Sequence, residues 1–530
     1  MKKRCTFAII SHPDAGKTTI TEKLLWFGRQ VRKTGMVKSK QGNYAKSDWM
    51  EMEQERGISI SSSVMSFPYQ NRDMHLLDTP GHKDFSEDTY RTLTAVESVL
   101  MMIDSAKGVE EQTLKLMEVC RMRKTPIVTF MNKFDRDTQE PFELIDNIEE
   151  VCKIECAPLT WPIGSGVDFK GVYDLRDQKI RVFDDKGDPD NPRIIDGSNL
   201  ESAEIKEFVP EDVLGKFKEE LEMVQGVLPQ YNERDFLAGK QTPVFFGSAL
   251  YNFGVNETLN FISQKAPAPL SKEVLLEPFD ENSPKETINP DDKEFSGFIF
   301  KIQANMDKRH RDRVAFMRIC SGSFKRGGKI FHVRSSKEIK MSTPLMFLAE
   351  DREVTEEAFP GDIIGLHDTG KLKIGDTFSE GRKIQFTGIP SFSPEIFNKV
   401  ILKDPLKSKQ LEKGLNQLSE EGTVQLFTRH TIKEKILGAV GPLQFEVVKQ
   451  RLETEYGVQG EYQSYPFVSM RWLRFPSDKV KERFIADNGS NICYDHKKRI
   501  CFSVRSPWDL KLAQEKNEDV EFFKNSDYKK

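Results

Sequence analysis

The chain has 530 residues, 37% of them apolar and 31% charged, with a net charge of -4. That length allows about three to four domains, and the composition suits a chain that buries several cores. The charge balance excludes attraction of nucleic acid by the chain as a whole, so an RNA partner must be met by local basic patches.

No apolar run approaches the ~20 residues needed to span a bilayer. The start, Met1 to Arg4, is basic, but the apolar run Cys5–Ile10 is too short for a signal core and is interrupted by His12 and Asp14. No targeting segment is expected. The seven cysteines are scattered, and Cys152 with Cys156 has no second pair to complete a zinc set. Reduced thiols in a cytoplasmic protein are expected.

In chain order, Cys5–Ile10 reads as a strand and Lys17–Phe27 as a helix. Between them lies Ser11-His12-Pro13-Asp14-Ala15-Gly16-Lys17-Thr18, a phosphate-loop pattern with Ser11 where glycine is usual. Its backbone N–H groups would cradle phosphates at the helix N-terminus. Lys17 would neutralise the β- and γ-phosphates, and Thr18, beside Thr19, would bind Mg²⁺ through its hydroxyl. The side chain of Ser11 must fit where none is normal. Asp14 is unexpected beside phosphates, since like charges repel. It either holds a monovalent cation or caps the loop by accepting backbone N–H bonds, and the cap is preferred.

The stretch Gly28 to Arg56 would order around a γ-phosphate and loosen after hydrolysis. It ends in Arg56-Gly57-Ile58-Ser59-Ile60, where Ser59 offers a second hydroxyl to Mg²⁺. The strand Met74–Leu77 then leads into Asp78-Thr79-Pro80-Gly81-His82. Asp78 would hold Mg²⁺ through water, Gly81 would bring its N–H to the γ-phosphate, and His82 could orient the attacking water.

After a further strand, Val99–Ile103, the strand Ile127–Met131 runs into Asn132-Lys133-Phe134-Asp135. A carboxylate at Asp135 can accept hydrogen bonds from both N1–H and the 2-amino group of guanine. Adenine has no such donor pair. Lys133 offers its alkyl stem to the base plane. Val244–Phe246 leads into Gly247-Ser248-Ala249-Leu250, where the N–H of Ala249 could reach the guanine O6. Each motif alone could be an ordinary turn. Together, in this order and each at the C-terminal end of a strand, they point to GTP hydrolysis.

The alternation of strands and helices predicts an α/β domain over 1–270 with a mostly parallel sheet. An inserted subdomain at about 155–240 is expected from the long gap before Gly247. A Pro- and acid-rich linker is expected at 271–292. Residues 293–389 read as a small β-barrel, with Phe298, Phe300 and Ile302 alternating along its first strand. Residues 390–530 read as α+β: Leu411, Leu415 and Leu418 fall at helical spacing, as do Phe445, Val448 and Leu452, with Gly457 at a helix stop. The charged tail from Glu518 is expected to fray. The basic run Lys308 to Arg313 could meet RNA phosphates or be a solvated loop; Lys497-Lys498-Arg499 reads as an exposed turn.

Asp78 to His82, taken with Arg56-Gly57-Ile58, resembles the translational GTPases and not the Ras-like ones. The insertion before Gly247 resembles the elongation factor G branch. The phosphate loop, the run His310 to Arg318, and Gly441-Pro442-Leu443-Gln444-Phe445-Glu446-Val447-Val448 are similar to the class II release factors. The resemblance covers nearly the whole chain. It implies an α/β P-loop GTPase domain with an inserted subdomain, then a β-barrel domain and an α+β C-terminal domain. It implies GTP and GDP as ligands with Mg²⁺, and a monomer that works on the ribosome, meeting class I release factors only there, without membrane contact. It further implies that hydrolysis promotes dissociation of those factors after peptide release, with the ribosome positioning His82 because no arginine finger is evident. Elongation factor G carries two further domains that this chain is too short to hold, and elongation factor Tu lacks the insertion. The alternatives are an elongation-type or ribosome-protection GTPase, or a GTP-regulated RNA-binding scaffold. Two departures from the wider superfamily stand out: Ser59 replaces the Thr of many relatives but keeps the hydroxyl, and Pro13 lies where an apolar residue facing Ile58 is common.

Overall fold

A computed structural model describes residues 3–28, 53, 59–182, 193–277, 283–304, 313–340, 344–348, 351–387 and 392–526. The expected α/β domain is present. Its sheet runs β2 (Ser63–Tyr69), β3 (Arg72–Asp78), β1 (Lys3–Ser11), β4 (Ser98–Asp104), β5 (Ile127–Asn132), β7 (Gln241–Phe246) and β6 (Glu155–Pro158). All neighbours are parallel except β2, which is antiparallel to β3. Every residue of β4 and β5 is buried, as strands covered on both faces require.

Period-two alternation assigns each strand residue to a face. Phe7 and Ile9 pack with Leu24 of helix α1 (Lys17–Phe27) and Leu259 of α5 (Val255–Lys265). Ala8 and Ile10 face the other way, toward Leu116 of α3 (Glu111–Arg123) and Ile145 of α4 (Pro141–Cys152). A short helix, α2 (Ser86–Thr92), follows β3.

Within the expected insertion, Glu155–Pro158 is the edge strand of the central sheet, paired with Gln241 to Val244. Beyond it come a four-stranded antiparallel sheet and the helix Glu211–Val227. Trp161 ties them together: it is fully buried and its indole N–H donates to Glu220 at 2.8 Å.

The stretch expected as a linker is partly structured. Lys272–Leu276 and Lys285–Ile288 form a hairpin extended by Ile384–Phe386. Val274 and Ile288 are buried there, an apolar signal that the surrounding Pro and acidic residues masked.

The β-barrel domain is antiparallel, centred on Ser296–Ala304 and Arg313–Ser321. A bulge between Ile299 and Lys301 breaks the simple alternation expected at Phe298, Phe300 and Ile302. Ile299 and Ile302 therefore enter the barrel core, while Phe298 and Phe300 join the cluster of the first domain.

The C-terminal domain is α+β, an eight-stranded antiparallel sheet with α6 (Ser408–Glu420) packed on α7 (Pro442–Tyr456). The tail is not wholly frayed: Glu521–Phe523 pairs with Ser469–Arg474, and Val520 and Phe523 are buried. These apolar residues outweigh the charge around them. All seven cysteines are buried free thiols. No helix among the described residues is long and apolar enough to cross a membrane.

Candidate active site

The motifs meet at one edge of the central sheet. Register places Asp78 opposite Ile9 and Met102 opposite Ser11, so the ends of β3 and β4 flank the phosphate loop. Ser11 lies in this extended pairing, fully buried, and its backbone needs no positive φ. The left-handed positions of the loop are Asp14 (φ 65°) and Gly16 (φ 93°). A Cβ at Gly16 would fall on the Asn132 amide, so glycine is required there for space as well as for conformation.

Asn132 joins three motifs. Its Nδ2 donates to the Ala15 carbonyl at 2.7 Å, and its Oδ1 accepts the Ala249 N–H at 2.9 Å. That N–H, expected to face a guanine oxygen, is thus directed at Asn132. Thr79 donates its hydroxyl to the Ile9 carbonyl at 2.6 Å, fixing the turn after Asp78 against β1. A Cβ at Gly81 would sit 3.5 Å from the backbone of His12 and Pro13, which measures how closely this turn approaches the loop.

Lys17 is buried with its Nζ 2.7 Å from Asp78 Oδ1. The other oxygen, Asp78 Oδ2, is buried without a hydrogen-bond partner among the described residues. Gly16 precedes helix α1, and no side chain caps the free N–H groups of its first turn. An uncapped helix start beside a buried lysine suits a phosphate. The orphaned carboxylate oxygen and the half-buried Thr18 hydroxyl are the hard oxygen donors that a magnesium ion takes, so these residues fit the metal. Thr19 and Ser59 are also half-buried.

Asp14 does not make the expected cap. It is exposed, and no loop N–H bonds its carboxylate among the described residues, because its left-handed backbone turns the side chain outward. Both ring nitrogens of buried His12 lack hydrogen-bond partners among the described residues, with Glu110 3.6 Å from Nε2. Burial lowers its pKa against the pull of Glu110, so the ring is neutral near pH 7.

On the base side, Lys133 (φ 76°) reaches Asp104 Oδ2 at 2.7 Å. Burial tends to raise the Asp104 pKa, but the Lys133 ammonium and the Ala106 N–H outweigh it and hold the carboxylate below its ordinary value. Asp104 is the last residue of β4 and carries no motif, so the sequence did not single it out. Asp135 is 13% exposed, with Arg136 Nε at 3.9 Å. Ser248 is buried, and Leu250 lies at the surface.

His82 is 29% exposed and begins the turn Lys83–Phe85; the Asp84 N–H donates to its Nδ1 at 3.3 Å. Arg56, Gly57, Ile58 and nearly all of the stretch Gly28 to Arg56 lie outside the described residues, as does Lys308 to Asp312.

Family models match in three successive blocks. Residues 2–268 match the elongation factor Tu GTP binding domain, 294–381 match elongation factor G domain 2, and 386–514 match the class II release factor RF3, C-terminal domain. Among solved structures, a crystal structure of a protein from Thermus thermophilus is similar, with a TM-score of 0.68 at 20% identity. The match covers 87% of this chain and 67% of that one. At that identity the likeness speaks for the fold.

Proposed function

The chain belongs to the translational GTPases, joining an elongation factor Tu-type GTP-binding domain to the C-terminal domain of the class II release factors, and from that premise we propose that it is a ribosome-dependent GTPase that promotes dissociation of class I release factors after peptide release. The observation that supports the termination reading most is the release-factor-type domain over 386–514. A GTPase domain and a barrel alone would fit an elongation-type factor equally well.

In this reading Lys17 and the loop N–H groups from Asp14 to Thr19 hold the phosphates. Asp135 selects guanine, with Lys133 beside the base, Asn132 fixing the loop, and Ser248, Ala249 and Leu250 closing the base side. Thr18 and Ser59 directly, and Asp78 through water, would hold Mg²⁺, which would neutralise phosphate charge during transfer. His82 is the catalytic residue that orients the attacking water, and the ribosome stimulates hydrolysis by positioning it. The protein acts as a monomer and meets the class I factor only on the ribosome.

Purified terminated ribosomes carrying a class I factor test this. Addition of the protein with GTP should release the factor many times faster than addition without nucleotide. Equal release with and without GTP would refute the proposal; GTP-dependent tRNA movement with no factor release would favour the elongation-type alternative.

A further inference from the structure

Directly behind His82 lies a residue that reaches into another domain. Asp84 is fully buried. Its Oδ2 accepts the N–H of Leu443 at 2.8 Å, across 359 positions of sequence. Leu443 is in the first turn of α7, in the C-terminal domain, and a carboxylate there is favoured by the free N–H groups and the dipole of the helix. The residue before that helix, Gly441, has no side chain with which to cap it, so Asp84 takes that place from the first domain. A Cβ at Gly441 would fall on the Asp84 carboxylate.

The other oxygen, Oδ1, lies 3.3 Å from His82 Nδ1 and has no hydrogen-bond partner among the described residues. One carboxylate is thus gripped by the third domain through Oδ2 and faces the imidazole through Oδ1. Around it, Ile60 and Phe85 pack with Val447 and Leu443 in one apolar cluster, which keeps the helix start seated on the turn.

We propose that Asp84 is a positioning residue for His82: in the tautomer that carries its proton on Nδ1 and leaves Nε2 free for water, Nδ1–H turns from the weak 3.3 Å contact with the Asp84 N–H to Oδ1, while α7 of the third domain holds Oδ2, so that rapid hydrolysis requires the third domain to be docked. A carboxylate that fixes the orientation of a histidine is a recurring catalytic device. Here its anchor lies in another domain, which makes the orientation sensitive to domain position. The proposal rests on the assignment of His82 to the attacking water.

The test compares Asp84→Ala, Gly441→Ala and His82→Ala in the full chain, with the first two made both alone and in combination with His82→Ala. Single-turnover GTP hydrolysis on saturating ribosomes is measured beside calorimetric GTP binding. Asp84→Ala and Gly441→Ala should each lower the rate about tenfold or more, since small misplacements of a reacting group carry such costs. GTP affinity should stay within about twofold, showing an intact nucleotide domain. In the His82→Ala background neither substitution should lower the residual rate further, because coupled residues are non-additive. A wild-type rate in Asp84→Ala overturns the proposal, as does the same fold-loss with and without His82. If His82→Ala itself keeps the full rate, the assignment of His82 fails and the proposal goes with it. An inactive His82→Ala beside a fully active Asp84→Ala overturns the positioning role alone.

Discussion

Replacing Arg318 by Met tests how the nucleotide domain is fixed to the barrel. Arg318 and Glu97 are each 1% exposed and lie 2.5 Å apart. The guanidinium also donates to Thr6 at 2.9 Å. Methionine keeps most of the volume but leaves the Glu97 carboxylate buried without its partner, a loss of about 3–5 kcal/mol for pairs of this kind. Lys272 decides where in that range the cost falls. Burial pulls its pKa down to about 8 while Glu97 works to raise it, so at pH 7 it remains charged and partly compensates Glu97. Loss of Arg318, which lowers the Lys272 pKa, leaves Lys272 more firmly charged, so the expected cost at pH 7 lies near the lower end, about 3 kcal/mol. Urea unfolding followed by tryptophan fluorescence at pH 7 gives the shift from the transition midpoint and slope. Adding Glu97→Gln to Arg318→Met should recover most of the loss, because the uncompensated charge is then gone. A cost below about 1 kcal/mol, or a double variant as unstable as the sum of its parts, would refute the reasoning.

Asp135→Asn should exchange the preference for GTP for one toward xanthosine triphosphate. Two charge-assisted hydrogen bonds of about 1.5–3 kcal/mol each are at stake, or at least a hundredfold in relative affinity by calorimetry; an unchanged ratio would remove Asp135 from base reading. His82→Ala should bind GTP normally and lose about 10²–10⁴-fold of ribosome-stimulated turnover, measured by phosphate release. Asp362 is buried between Arg4 at 2.7 Å and His75 at 2.9 Å. Burial tends to raise its pKa, but His75 and Arg4 outweigh this and hold it below the ordinary 3.8. A carboxylate lowered on folding stabilises the native state above its unfolded pKa and loses that contribution as pH falls through the native value. The barrel junction should thus hold from pH 7 to pH 5 and weaken below about pH 4. Asp362→Asn should flatten that acid limb in pH-dependent unfolding.

The nucleotide domain was legible because its signals are local. A phosphate loop needs Gly16 and Lys17 at fixed spacing, and β4 and β5 are apolar almost throughout, so each strand end carries its motif openly. The partly structured stretch 271–292 was hidden because two buried residues, Val274 and Ile288, sit among Pro, Asp and Glu. The bulge at Ile299–Lys301 was hidden for another reason: an inserted residue leaves composition untouched while reversing which residues face the core. Asn132 appeared as a base-side motif, but its side chain also bonds Ala15 and Ala249, more than a hundred positions away in each direction.

Least legible were the contacts that join the domains, several of which lie on the turn and helix that follow His82. From α2, Asp88 accepts from Lys301 of the barrel at 3.1 Å and from Ser62 at 2.6 Å. Burial tends to raise the Asp88 pKa, but Lys301 and Arg91 prevail and hold it low, while burial pulls the Lys301 pKa down against the attraction of Asp88. Arg91 donates to the Gly422 carbonyl of the third domain at 2.9 Å, across 331 positions. Gly422 (φ 78°) reads in sequence as an ordinary helix stop, yet any Cβ there would strike the Arg91 guanidinium. Gly441 likewise reads as the residue before a helix, yet its empty side is occupied by Asp84. Neither glycine can be understood from its own neighbourhood, because the atoms that require the space belong to the nucleotide domain. Movement of the third domain is therefore transmitted to the segment that begins with His82 through Asp84 and Arg91, and movement of the barrel through Asp88, beside the further barrel anchors at Thr6, Glu97, Arg4 and His75.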